Sequence, residues 1–324
     1  QPVISADLVV QVGPLVLAKN PVFGNKSEFK FSVRTIRNMP TNLIGPIPIV
    51  HDVKTRYMNA VGLPNRRQGE YVQIDLPLAT RIAGAFEEAE DRPNDPDVQI
   101  AYQAMANETM AQWQFIKDTG LVVEFIKGDM DNPYPNGSRD VLIDIRDNNH
   151  MWVFPTDAGF GQSSITAEDE AMNPLLVRAG ETVDGIEMRI NDVFRIVHDY
   201  FGHGLEGATF TARGEENAWQ SHVRMYSPIA AKAMTTETRG QNSWVNFGPC
   251  GEQNRENPTS TTYADKKMTI LPDFVMEEGI APDLESVNEQ ERINRSIKRS
   301  SISGDARSDR GRVDRVATGS GDVR

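Results

Sequence analysis

The chain has 324 residues, 39% hydrophobic and 25% charged, which is enough for one large domain or two small ones. Its formal charge of −12 is uneven: from Glu291 onward nine basic residues stand against five acidic ones, so that stretch is +4 and the rest −16. An acidic body argues against nucleic acid as a partner, no run of 18 apolar residues is present to span a membrane, and the single cysteine, Cys250, excludes an internal disulfide framework or a Cys-rich zinc site.

Residues 1–70 read as an N-terminal β/loop arm. Its first 20 residues lack the basic start of a signal peptide. Residues 8–12, 14–18 and 28–36 carry strand-like alternation. Residues 39–64, rich in Pro, Asn and Gly, read as a long loop of the kind that wraps a neighbour.

Residues 71–285 read as the core domain. Residues 77–90 form an amphipathic helix with Ile82, Ala83 and Phe86 inward. Asp95 caps a second helix that starts at Pro96, runs to about residue 118 and stops at Gly120. Val98, Tyr102, Met105, Met110, Trp113 and Ile116 make its buried stripe. Residues 121–127, 141–145 and 151–154 read as strands, the last two joined by a hairpin-type turn. The small residues after Phe154 suit a tight turn or a close approach to a ligand, with Asp157 as the candidate ligand-binding side chain. Residues 168–177 read as a short helix. The fold class expected is α+β, a mainly helical core with a small antiparallel sheet. Residues 286–324 read as a polar, disordered tail.

The densest chemistry lies between Asn191 and His222, which holds three of the five histidines. Asn191 or Asp192 caps a helix through about Phe201 that is apolar on most of its surface, so His198 on it should be buried and need a partner. His198 and His203 are five apart, about 140° of rotation on an α-helix. Gly202 and Gly204 would let the helix end so that His203 swings back toward His198. A following helix near Gly214 places Glu215, Ala218, Trp219 and His222 on one stripe and points Glu216 about 100° away. Two histidines and one carboxylate leave open positions on a metal. The preferred ligand set is therefore His198, His203 and Glu215. Glu216, His222 and Asp199 stand behind them as acid, base or orienting groups. Downstream, Arg239, Gln241 and Asn242 could clamp a carboxylate, phosphate or amide, or belong to an ordered loop. Residues 262–275 read as a closing helix.

His198-Asp-Tyr-Phe-Gly-His203 resembles the His-Asp-x-x-Gly-His iron motif of the aromatic amino acid hydroxylases. That resemblance implies non-haem Fe(II) on His198 and His203, with Asp199 orienting them. The chain departs from the family in having Gly204-Leu205 where the family has Val-Pro. It also carries no acid near the family's downstream glutamate offset, Glu237 falling short and Glu252 beyond. A broader resemblance, over about residues 70–275, is to an uncharacterised family of tailed-phage, virion-associated proteins. It rests on NDPDVQIAYQAMANET, VFPTDAGFG, NDVFRIVHDYFGHG, RGEENAWQSH, TETRGQNSWVNFGP and YADKK. It implies a phage context, in host cytoplasm or virion, with no activity attached.

Two readings follow besides a metal-free acid–base or transfer enzyme that would use the His/Glu pairs and Arg239. One is a metal-dependent enzyme with a two-His-one-carboxylate site, oxygenase-like or a metal-activated hydrolase, holding a divalent metal with Fe(II) favoured over zinc and acting on an unspecified small-molecule or protein substrate. The other is a virion structural protein whose histidines are core residues and whose arm and tail contact virion proteins.

Overall fold

Helix α3 (Pro96–Lys117) is the longest helix of the computed structural model, which describes residues 44–128, 130–159, 165–257 and 260–295. Asp95 caps it by accepting from the backbone N–H of Asp97 and Val98, and Pro96 occupies the first turn. Its two halves feed two cores. Val98, Tyr102 and Met105 join Trp219, Phe194 and helix α9 (Pro228–Thr235). Trp113 and Ile116 join Val193, Val197 and Phe201. A third cluster packs α2 (Leu76–Glu88) on Trp244, Leu271 and Val275.

The described residues are mainly helical, with two small sheets. Strands β1 (Val122–Phe125) and β2 (His150–Val153) pair in parallel, Val122 opposite His150 and Phe125 opposite Val153. Parallel strands need a crossover rather than a hairpin. Helix α4 (Ser138–Asn148) supplies it and buries Val141, Leu142 and Ile145. The strand expected over residues 141–145 is therefore a helix: Val141, Leu142 and Ile145, at i, i+1 and i+4, fall on one helical face. The antiparallel sheet comes instead from β3 (Arg178–Val183) and β4 (Ile186–Arg189). Asp184 and Gly185, both at positive φ, make the tight turn between them.

Other expectations differ from the structure. Within the expected loop, α1 (Pro48–Val61) is a helix that buries Val50, Val53, Tyr57 and Met58 in the same core as Phe201. The core thus begins before residue 71. The expected strands at residues 8–12, 14–18 and 28–36 lie outside the described residues. Helix α5 spans Thr156–Gly159, and α6 covers only Ala167–Met172, closed by reciprocal bonds between Thr166 and Asp169. The expected closing helix is extended over residues 261–272, bonded to Arg92 and Asp91 through the backbone of Met268. A short helix, Phe274–Glu277, follows Pro272. Residues 284–295, where the polar tail was expected to begin, are helical, and the remainder of that tail lies outside the described residues. No helix among the described residues is long and apolar enough to cross a membrane.

Candidate metal centre

Helix α7 (Ile190–Val197) starts two or three residues earlier than expected, with Arg189 at the cap position. Asp192 lies inside it, and its side chain reaches back to accept from the N–H of Arg189 at 2.7 Å. The same carboxylate accepts from the N–H and hydroxyl of Thr156, each at 2.6 Å, which ties the helix start to the end of β2. The helix does not end at Gly202. It continues as a π-helix, His198–His203, in which the Gly204 N–H donates to the Asp199 carbonyl at 3.1 Å. Five-residue bonding of this kind puts residues five apart about one turn apart. His198 and His203 therefore share a face that an α-helix would deny them.

The glycines serve close approach rather than chain reversal. A Cβ at Gly202 would stand 3.0 Å from the His198 ring and 3.2 Å from the Ala218 carbonyl. One at Gly204 would stand 2.2 Å from the Tyr200 carbonyl. Helix α8 (Ala212–Val223) crosses this face, capped by the Thr211 hydroxyl, and brings Glu215 to the two histidines.

One ligand atom from each of His198, His203 and Glu215 lies within 4.8 Å of the others. Glu215 Oε2 is 3.8 Å from His198 Nε2 and 3.4 Å from His203 Nε2. A contraction of a few tenths of an ångström would bring all three to the ~2.0–2.2 Å of metal–ligand bonds. His203 is 1% exposed, and its Nε2 has no hydrogen-bond partner despite the nearby carboxylate. Its Nδ1 donates to the Ala208 carbonyl at 3.0 Å. In the neutral ring that leaves the Nε2 lone pair facing the centre. Asp199 Oδ1 lies 4.0 Å from His203 Nε2, on the rim of the group.

His222 stands behind His198 rather than in the ligand group. Their Nδ1 atoms are 3.1 Å apart, and His222 Nε2 is 2.9 Å from the Oε1 of Gln112 on α3. Phe194, Phe201 and Tyr226 surround the His222 ring. Burial, followed by the adjacent His198 and His203, holds its pKa well below the usual range, so it is neutral. Burial alone would raise the pKa of Glu215, but His203 and then His198 outweigh it and hold the carboxylate at about 2. Burial opposes charging of His203, and Glu215 overrides it, raising the ring. Asp199 is pushed up by burial, with the two histidines pulling back.

The expected ligand clamp is a correction. Residues 236–247 are not a loop but a second π-helix, Thr236–Gly240, running into α10 (Gln241–Phe247). Their polar groups are engaged by the protein's own carboxylates. Arg239 forms a two-pronged pair with Glu216 at 2.9 and 2.7 Å and lies over Trp219. Gln241 donates to Glu237 at 2.7 Å, and Asn242 to Glu215 at 3.2 Å. Glu216, considered as an acid or base, is thus half of a buried ion pair. Asp157 is paired with Arg189 and with Arg178, the latter at 2.9 Å, in a separate ion-pair group.

The sequence reading missed Gln112, which lies more than eighty residues before the motif and shows only as a polar residue inside an apolar stripe. It also missed Phe210, 42% exposed and edge-on to His203 at 4.6 Å between rings. A cavity of about 280 Å³ is lined by Glu216, Arg239, Asn242, Leu78, Ile82 and Phe247. Asn242 belongs to both the cavity wall and the Glu215 carboxylate.

Comparison of the chain with protein-family models, with curated proteins and with solved structures gave no match.

Proposed function

We propose that the chain is a metal-dependent enzyme with a mononuclear centre on His198, His203 and Glu215. The observation that carries this reading is the convergence of one ligand atom each from His198, His203 and Glu215 within 4.8 Å, with His203 Nδ1 bonded to the Ala208 carbonyl so that its buried Nε2, which makes no hydrogen bond, is turned toward the carboxylate. A buried nitrogen without a partner costs stability unless something binds it. Two nitrogens and one carboxylate favour Fe(II) over zinc and leave open positions for oxygen or substrate. Such a centre would supply oxidative chemistry with iron, or an activated water for hydrolysis with zinc. Asn242 orients Glu215, and the adjoining cavity offers space for an uncharged or amphipathic substrate. The phage setting implied by the sequence resemblance is part of the same proposal.

The burial of all three histidines favours the competing reading, in which they are core residues. Elemental analysis after anaerobic loading with Fe(II) or Zn(II) separates the two. We expect near-stoichiometric metal, with affinity reduced at least 100-fold in the His198→Ala/His203→Ala double variant. Wild-type protein that binds neither metal would overturn the reading.

A further inference from the structure

Three fully or nearly buried side chains from three helices form a line: Gln112 on α3, His222 on α8 and His198 at the head of the π-helix. Gln112 and His222 are each 0% exposed. The Gln112 Oε1 can only accept, so His222 Nε2 must carry a hydrogen. His222 is 0% exposed and ringed by Phe194, Phe201 and Tyr226, surroundings in which an unpaired charge is costly, so the ring is neutral and its Nδ1 is bare. The 3.1 Å contact between the two Nδ1 atoms is a hydrogen bond only if His198 donates. His198 is thereby protonated on Nδ1, and its Nε2 lone pair faces Glu215.

We infer that Gln112 is a positioning residue that, through His222, selects the His198 tautomer able to bind a metal. This inference rests on the reading of His198 as a ligand. His203 reaches the same state by a different route, a single backbone carbonyl. The two imidazoles are thus set independently, one by main chain and one by a side-chain relay. Removing the amide carbonyl frees His222 to place its hydrogen on Nδ1. His198 would then accept at Nδ1 and turn an Nε2–H toward the carboxylate. A metal would have to displace that proton, and outer partners of ligating histidines typically contribute about 10–100-fold to affinity.

The test is ¹⁵N NMR of the histidine ring nitrogens in the full chain, which reads tautomers without any metal. Five histidines keep the spectrum tractable. In the wild type we expect His198 and His203 protonated on Nδ1 and His222 on Nε2. Gln112→Met keeps the volume and removes the carbonyl. It should shift His198 toward the Nε2-protonated form and weaken Fe(II) or Zn(II) binding about 10–100-fold, with folding retained by circular dichroism. Gln112→Glu restores an acceptor and should restore both the tautomer and the affinity. An Nε2-protonated His198 in the wild type would overturn the inference even if neither variant folds. So would an unchanged His198 tautomer in Gln112→Met. Tautomers as expected, in a wild type that binds no metal, would sink the metal reading and leave the relay standing.

Discussion

Two buried polar groups lie three residues apart, at His203 and at Glu206, and they are built on opposite principles. Glu206 is 1% exposed and fully answered: Arg67 donates to both of its oxygens at 2.6 Å, and Lys54 and His51 stand beside it. Lys54 is itself bonded to the Arg66 carbonyl. His203 is equally buried, yet its Nε2 makes no hydrogen bond, and its nearest acceptor is Glu215 Oε2 at 3.4 Å. A complete set of partners makes a buried charge part of the scaffold, and an incomplete set leaves a group available for chemistry. Glu237 falls between them, buried and bonded to Tyr102 and Gln241 but with no cation.

The comparison can be broken in three places. The largest effect at a single pH near neutrality is expected from Arg67→Ala, which strands a buried carboxylate and should cost about 3–5 kcal/mol in denaturant unfolding. Metal stoichiometry should survive in the protein that remains folded; its loss would mean that the two groups are one site. The next effect is a slope with pH. Burial pushes the Glu237 pKa up to about 8, against 4.5 for an ordinary glutamate, with Tyr102 and Gln241 only partly offsetting it. Below about 4.5 both states are protonated, and this contribution to stability is present in full. As pH rises the unfolded chain ionises first, so stability falls by up to about 1.4 kcal/mol per pH unit until the folded group titrates near 8. Glu237→Gln should flatten that slope in thermal melts at pH 5 to 8, and an unchanged slope would assign it to other groups. The smallest effect is expected from Gly202→Ala. Its new methyl would press on the His198 ring and the Ala218 carbonyl, costing about 1–3 kcal/mol of stability. It should also lower metal affinity about 10-fold by tilting a ligand, which titration would read; unchanged affinity would show that the ring has room to move.

The sequence made parts of this legible and hid others for physical reasons. His198, His203 and Glu215 could be picked out because a chain with five histidines concentrates three of them among acids. The helix α3 cap was readable because Asp-Pro is a local signal. The π-helix was not, because five-residue bonding depends on what α8 and Gly202 allow, not on the hexapeptide alone. Arg239, Gln241 and Asn242 were read as a ligand clamp from their chemistry, which was sound. The partners of Arg239 and Asn242, Glu216 and Glu215, lie 23 and 27 positions away, so sequence order could not supply them, whereas Glu237, 4 positions before Gln241, becomes its partner once the segment is helical. Residues 141–145 alternate like a strand, and only the parallel pairing of their neighbours makes them a helix.

The π-helix has a consequence for how this centre could arise or be lost. A five-residue turn is an α-turn with one residue more. A single codon removed from between Asp199 and Gly202 would restore α pairing and leave the histidines four apart, about 40° from a common direction on an α-helix. The same two ligands could therefore stand on an α-helix one residue shorter, and a one-residue insertion between them is absorbed as the π-turn instead of turning His203 away.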